Sequence, residues 1–545
     1  MNMSAKLSRP DIEGLDLQGV IDGLNNGDFS SQALVDAYLE NIERFNDQVR
    51  AIACINPDVK AIAIQKDHER SSGQLTGKLH GVPILLKDTI VTTDSMDTTA
   101  GSFALVRAKY TQEAFVVSKL RAAGAIILGK ANLSQWGMAR SPKCASGWSS
   151  LFGQALGGFH VDQDPQGSSS GSAIALSLNM VSAALGGETC GSILYPAQRN
   201  GVVGLKPTVG LTSRAGTIPI NPEQDSIGPL TGSVKDSAII LQVIAGKDDG
   251  DPATKDIPFD EGTPDYVSSC QKSGLQGVRV LVPLSVYKVV DSDPEVGTAF
   301  RAAIDTIKSL GATVVDGVDF KTWKPNGKLR DDLPGDVMLR EAYESFFKSL
   351  KVNPHGIRSI SDLIEFIKSE PLERYEDFGA SWFESARDAP VDSDSDRFKE
   401  VNAKMEAFGA EIPQILDEND CDVLLASSST DLPLDLGRLP GISVPLGFYS
   451  ASREALRNSK GFITKGPNIP FAVTFTGRRF SEQTLIACAY AFEQATQVAK
   501  RNKDYLIVRP VNLARNELSG DSNRNVGTQH NGAEKDAVGQ DDAKL

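Results

Sequence analysis

Several things are scarce in this chain, and each scarcity removes a class of function. Histidine occurs five times in 545 residues. The six cysteines fall at 54, 144, 190, 270, 421 and 488. No two of them form a CxxC pair, which excludes zinc ribbons and thioredoxin-type chemistry. Thiols scattered in this way read as reduced residues of an intracellular protein. Basic charge is in deficit, with 56 Lys and Arg against 70 Asp and Glu, a net charge of −14. A surface that acidic repels phosphate, so nucleic acid is excluded as a direct partner unless a basic patch is concealed. Long apolar runs are missing as well. The longest, Ala173 to Gly187, is interrupted by Ser177, Asn179 and Ser182. It falls short of the roughly 20 residues a membrane-spanning helix needs. Met1 to Gly14 is polar and carries Arg9, Pro10 and Asp11, unlike a secretory signal. These features predict a cytoplasmic protein with no membrane span.

What is present points to an α/β fold. Ser30 and Ser31 are good N-caps, and Leu34, Tyr38, Ile42 and Phe45 then share one helical face. From residue 80 onward short apolar runs, Val82–Leu86 and Ala125–Leu128, flank a helical stretch Ala114–Ala123. Buried strands alternating with helices predict a core built on a parallel or mixed sheet. Val278–Val282, Ala312–Val315 and Val423–Ala426 are further strand candidates. Residues 321–410 are more charged and read as a helical insertion or cap, with Asp336–Leu350 the clearest helix. Ser481–Lys500 reads as a closing helix. At about 100–200 residues per domain the length would admit three or four domains. The alternative adopted here is one large domain, 1–510, followed by a tail, 511–545, whose polar composition predicts disorder.

Three local motifs mislead. Gly124 to Lys130 matches most of a phosphate-binding loop, but Ala131 stands where the magnesium-binding hydroxyl belongs. Its four central residues are apolar, as in a buried strand. Gly167-Ser-Ser169-Ser-Gly171 fits the nucleophile elbow of α/β hydrolases. Polar residues and Pro165 precede it, however, where that elbow requires a central strand. Asn132-Leu-Ser134 is a glycosylation sequon without a secretory context.

Residues 167–192 are different. Serine and glycine cluster at both ends of an apolar run, Ala173–Leu185. Flexible linkers share that composition but do not hold such a run. Gly-rich turns free backbone N–H groups to face developing negative charge. With so few histidines, a serine nucleophile here needs another base. Lys87 ends the apolar strand Val82–Leu86, and burial lowers a lysine pKa towards neutrality. Most lysines are exposed, but a buried strand feeding into Lys87 argues otherwise.

These residues carry a resemblance. Gly81-Val-Pro-Ile-Leu-Leu-Lys87-Asp88, Gly167-Ser168-Ser169 through Ser172-Ala173, and Gly191-Ser192-Ile193 with Gly201 to Pro207 are similar to the three motifs of the amidase signature family. The interval from Ser168 to Ser192 is 24 residues, as that pattern requires. The likeness extends from about residue 15 to about 510, and Gly147-Trp-Ser-Ser, Asp225-Ser-Ile-Gly-Pro and Phe471–Gly477 resemble the peptide amidase and fungal branch. The resemblance implies a single core of mixed sheet flanked by helices, and a Ser–cis-Ser–Lys triad. Ser192 would be the nucleophile, Ser168 the bridge held by a cis peptide bond, and Lys87 the base. Backbone N–H groups of Thr189, Cys190, Gly191 and Ser192 would hold the oxyanion, and an acyl-enzyme would form. No metal or cofactor is implied, and the partner would be a small-molecule amide.

The chain departs from the pattern at Gln166 and Ser170, where Gly is usual, at Gly187, where Thr is common, and at Cys190, where Asp or Gly is frequent. Cys190 itself could be a thiol nucleophile, but it has no basic neighbour in sequence. The leading expectation is an amide hydrolase yielding a carboxylic acid and ammonia or an amine. Alternatives are a glutaminase-type subunit of a tRNA-dependent amidotransferase and a non-catalytic scaffold on the same fold. The terminal Ala543-Lys544-Leu545 is similar to a peroxisomal signal and offers a second location.

Overall fold

The computed structural model describes residues 9–260, 262–324, 331–427 and 432–508. The tail, its terminal tripeptide and part of the insertion lie outside the described residues.

An eleven-stranded mixed sheet organises the described chain. Its strands are β1 (Ile52–Ile55), β2 (Pro83–Lys87), β3 (Ile126–Ala131), β4 (Ala183–Glu188), β5 (Val203–Lys206), β6 (Ser226–Thr231), β7 (Arg279–Leu281), β8 (Thr313–Val315), β9 (Val423–Ala426), β10 (Gly441–Phe448) and β11 (Pro470–Thr476). They lie side by side in the order β1-β3-β2-β4-β6-β5-β10-β11-β9-β7-β8. β3, β2 and β4 are parallel to one another, and β9, β7 and β8 form a second parallel group. The strands between them are antiparallel. β2, β3 and β9 are buried at every position, as continuous apolar runs covered on both faces should be. Gly124–Lys130 is thus the approach to β3 and part of it, not a phosphate loop.

Helices cover the sheet. α1 (Ser31–Val49) is capped by Ser30, whose side chain accepts the Ala33 N–H, and it buries Leu34, Tyr38 and Ile42. The apolar run after the serine cluster divides into two elements. α2 (Ser170–Ser177) is buried along its whole length, and β4 follows it. At 1.5 Å per helical residue α2 runs out about 12 Å, and β4 returns at about 3.3 Å per residue. This out-and-back path brings residues more than twenty apart in sequence back to one edge, where the Ser169 N–H donates to the Ser192 carbonyl at 3.1 Å. The short helix α3 (Leu194–Arg199) leaves that edge.

The insertion supplies α4 (Leu333–Ser349), α5 (Ser381–Arg387) and α6 (Asp396–Glu418). It packs on the sheet-bearing part through Trp136, whose ring lies 5.5 Å from Tyr343, 6.1 Å from Phe383 and 6.4 Å from Phe347. Beside this cluster Arg140 and Glu373 form an ion pair at 2.9 Å with both side chains fully buried. Glu373 also accepts from Ser102 Oγ at 2.6 Å, the Phe103 N–H at 2.8 Å and Gln135 Nε2 at 2.9 Å. α7 (Glu482–Thr496) is followed by a single 3₁₀ turn, Val498–Arg501, and a last short helix, Asn502–Tyr505. No described helix is long and apolar enough to cross a membrane.

A buried charge stripped of its partner stays uncompensated, so Glu373→Ala should destabilise the protein by about 3–5 kcal/mol. The exposed Lys368–Glu365 pair, 3.1 Å apart, is the control. Glu365→Ala should cost less than about 1 kcal/mol, both read by guanidinium denaturation.

Candidate active site

Lys87 is the last residue of β2, between β3 and β4. Its side chain is 2% exposed. Nζ donates to Ser168 Oγ at 2.6 Å and to the Gly187 carbonyl of β4 at 2.8 Å. Burial lowers the pKa of this amine to about 7, although the Asp225 and Glu188 carboxylates oppose the shift. The reason is desolvation: an ammonium removed from water loses more than two carboxylates restore. The site lies beyond the carboxyl ends of the parallel strands β2 and β4, where α/β sheets commonly place ligands.

Ser168 is fully buried, and its carbonyl accepts the Ser134 N–H at 3.1 Å. Ser169 is engaged by backbone instead. Its hydroxyl donates to the Gly187 carbonyl at 3.2 Å and accepts the Gly187 N–H at 3.3 Å, which ties it to β4. Its own N–H donates to the Ser192 carbonyl at 3.1 Å. The elbow reading of Ser169 has no support in this arrangement, because no strand leads into it and its hydroxyl is already occupied.

One expectation is corrected here. Every described peptide bond is trans, including the one entering Ser168. The chain reverses instead through two consecutive left-handed residues, Gln166 (φ 57°) and Gly167 (φ 59°). Glycine is required at the second, since a Cβ on Gly167 would lie 2.3 Å from Pro196 Cδ.

Ser192 follows β4 and lines a cavity of about 600 Å³ together with Thr189 and Cys190. Gln166, Gly167 and Ile220 line it from the sheet side, and Leu339, Trp382 and Met405 from the insertion. The turn from 189 to 192 is held by Glu188. Its carboxylate accepts the Ile193 N–H at 2.6 Å and the Leu194 N–H at 2.9 Å, and Gly191 lends a third backbone hydrogen bond. Gly191 is left-handed (φ 78°), and a Cβ there would strike the Tyr195 ring at 2.2 Å.

Sequence reasoning assigned no role to two carboxylates. Thr189 Oγ1 donates to Asp225 Oδ1 at 2.5 Å, while the N–H groups of Ile220 and Asn221 reach Oδ2 at 2.8 and 3.1 Å. Burial raises the pKa of both Asp225 and Glu188, and the hydrogen bonds they accept work against it. The available signal was their placement: an acid closing an otherwise apolar strand, and another at the head of Asp225-Ser-Ile-Gly-Pro. Among the described residues no cluster of His, Cys, Asp and Glu is arranged to hold a metal ion.

A mixed α/β sheet with a buried lysine hydrogen-bonded to one serine, and a second serine on an adjoining cavity, defines an enzyme of the amide-hydrolase class. The chain belongs to the amidase signature family: the family model described as Amidase matches residues 33–486. It is 40% identical over 480 residues to a protein of Arthroderma benhamiae named as an amidase, covering 87% of this chain and 80% of that one. The native peptide amidase of Stenotrophomonas maltophilia superposes with a TM-score of 0.79 at 33% identity, over 89% of this chain and 97% of that one. One component of the glutamyl-tRNA(Gln) amidotransferase of Roseiflexus is 29% identical, over 90% of this chain and 99% of that component.

Lys87 also makes stability depend on pH. Its folded pKa of about 7 lies below the ordinary value of 10.5. Between those two values the unfolded state binds more protons, so this residue makes stability rise with pH there. Lys87→Met should therefore be more stable than wild type at pH 7, and the difference should shrink as pH approaches 10.5. Denaturant titrations at several pH values measure it.

Proposed function

We propose that Ser192, Ser168 and Lys87 act as a catalytic triad cleaving a carboxamide through an acyl-enzyme. The observation that carries this reading is the buried Lys87 amine, 2.6 Å from Ser168 Oγ, with its pKa drawn down to about 7. A neutral amine keeps one lone pair. With an N–H donated to Gly187, that lone pair is available to the Ser168 hydroxyl.

In the proposed sequence Ser168 passes its proton to Lys87 and takes the one on Ser192, whose Oγ attacks the amide carbonyl. Of the four turn amides expected at the oxyanion, that of Gly191 is tied to Glu188, which leaves those of Thr189, Cys190 and Ser192 to stabilise it. The proton returns through Ser168 to the leaving nitrogen, which departs as ammonia or an amine. Water then enters by the same relay and releases the carboxylic acid. Each step moves protons between groups of this chain and substrate, with no cofactor in the scheme.

A second reading, a glutaminase-type component of an amidotransferase, draws on the likeness to the Roseiflexus protein. It predicts that the chain alone processes amides poorly and that partner chains restore turnover. The purified chain, given a panel of primary amides, peptide amides and glutamine with released ammonia assayed, separates the two.

Ser192→Ala should lower kcat by about a thousandfold or more, while Ser169→Ala should stay folded and at least partly active. A fluorophosphonate should label Ser192, and labelling at Ser169 would overturn the assignment. The acid limb of kcat/KM should rise through about pH 7 as Lys87 loses its proton. Lys87→Arg should lose that limb and about a hundredfold or more in turnover, because guanidinium stays protonated. Near wild-type turnover by Lys87→Arg would sink the proposed relay.

A further inference from the structure

Beside the catalytic cavity lies a second one of about 260 Å³, and Gln166 lines both. Arg199, Asp293, Tyr449, Lys465 and Phe471 contribute to its wall. Two cations thus stand against one carboxylate, and they are not equivalent. Asp293 Oδ2 accepts from Lys465 Nζ at 2.9 Å, from Arg453 Nη2 at 3.0 Å and from the Tyr449 hydroxyl at 3.2 Å. Lys465 is neutralised by that contact.

Arg199 has no such partner. Among the described residues no carboxylate oxygen lies within ion-pair distance of its guanidinium. Nε and Nη2 share a single acceptor, Gln166 Oε1, at 3.3 Å each. Those are long for hydrogen bonds between such groups. Asp164 is the nearest carboxylate to influence Arg199, but its oxygens already accept the Gln166 N–H and Asn458 Nδ2, each at 2.8 Å. A cation held in a cavity by one amide oxygen is under-compensated, and desolvation penalises it. A carboxylate offers two oxygens in the plane the guanidinium fork matches, with shorter, charge-assisted bonds. A dianionic phosphate fits less well, because it would bring more negative charge towards Asp293.

We propose that this second cavity is a carboxylate-binding subsite anchored by Arg199, with Gln166 as the partition between it and the catalytic cavity. Arg199 ends α3, whose six residues rise about 9 Å, and Ser192 lies two residues before that helix, so the two backbone positions are roughly 10 Å apart. That span is about three residues of extended chain. Resting on the triad reading, the preferred substrate is therefore an amide that carries a free carboxylate about 10 Å from its scissile carbonyl.

Calorimetric titration of the whole protein with glutarate tests the subsite without reference to catalysis. Glutarate should bind wild type, and Arg199→Met should weaken it at least tenfold, with Arg199→Lys in between. Gln166→Glu should also abolish binding, because the new carboxylate would pair with Arg199 and fill the site from within. This variant keeps the arginine, so it remains informative if Arg199→Met does not fold. Absent glutarate binding, or binding equal in all variants, would overturn the proposal.

Kinetics test the substrate class. The kcat/KM ratio for a succinyl dipeptide amide over its acetyl counterpart should exceed ten in wild type and fall towards one in Arg199→Met. Equal ratios in both would overturn the substrate assignment. If glutarate binding depends on Arg199 but neither peptide amide is hydrolysed, the subsite stands and the triad reading fails.

Discussion

The cost of hiding one ammonium group from water shapes this active site. Lys87 ends a strand that is buried at every position, and its amine is held inside by Ser168 Oγ and the Gly187 carbonyl. Burial brings its pKa down to about 7, so the neutral form is well populated near that pH. Two carboxylates close enough to matter, Asp225 and Glu188, are themselves buried and occupied by backbone N–H groups and the Thr189 hydroxyl. They soften the desolvation without reversing it. Had either paired directly with Lys87, the amine would stay charged and could not accept a proton. Burial acts against the charged form of the next residue as well. Asp88 takes the N–H of Thr99 and the Thr99 hydroxyl, and its pKa is pushed up to about 6 by burial, with Lys130 opposing.

The two walls of the cavity come from different layers. The sheet and its turns carry Lys87, Ser168 and Ser192, whereas the far side of the cavity comes from the insertion through Leu339, Trp382 and Met405. The layers are joined by Trp136 against three aromatic rings and by the buried Arg140–Glu373 pair. Trp136 and Met138 adopt left-handed backbone, with φ of 54° and 73°, on either side of Gly137. Bulky residues seldom take that conformation, and strain of this kind persists where packing over-determines it. The segment thus serves two masters: its tryptophan anchors the insertion while Gly137 and Met138 face the cavity.

Local features of the fold were readable from sequence because their causes are local. The run Val82–Leu86 became β2 shifted by one residue, and Ser30 caps the helix that its position announced. Ser481–Lys500 became a helix ending at Thr496. The strand order was not readable, since pairings such as β5 with β10 join residues more than two hundred positions apart. Motif spacing marks the lysine and both serines, but it does not reveal the left-handed pair at Gln166 and Gly167 that turns the chain into Ser168. Glu188 and Asp225 escaped notice because a carboxylate in an apolar strand or a loop has no distinctive neighbours until the chain folds. The second cavity was equally invisible, drawing Gln166, Arg199, Asp293 and Lys465 from four separate stretches.

The adjacent serines show how finely the turn sorts its residues. Ser168 and Ser169 differ by one position, yet the first receives the Lys87 amine and the second is tied by its hydroxyl to the Gly187 backbone. The same Gly187 carbonyl accepts from both Lys87 and Ser169, so it fixes the distance between the lysine and the turn. That carbonyl belongs to β4, the strand that leads to Ser192 one residue past the Thr189–Gly191 turn. A shift of β4 along its neighbours would therefore displace the lysine contact, the Ser169 clamp and Ser192 together. Register in the parallel pair β2–β4, where Leu85 faces Ala184 and Leu86 faces Leu185, is what keeps them aligned.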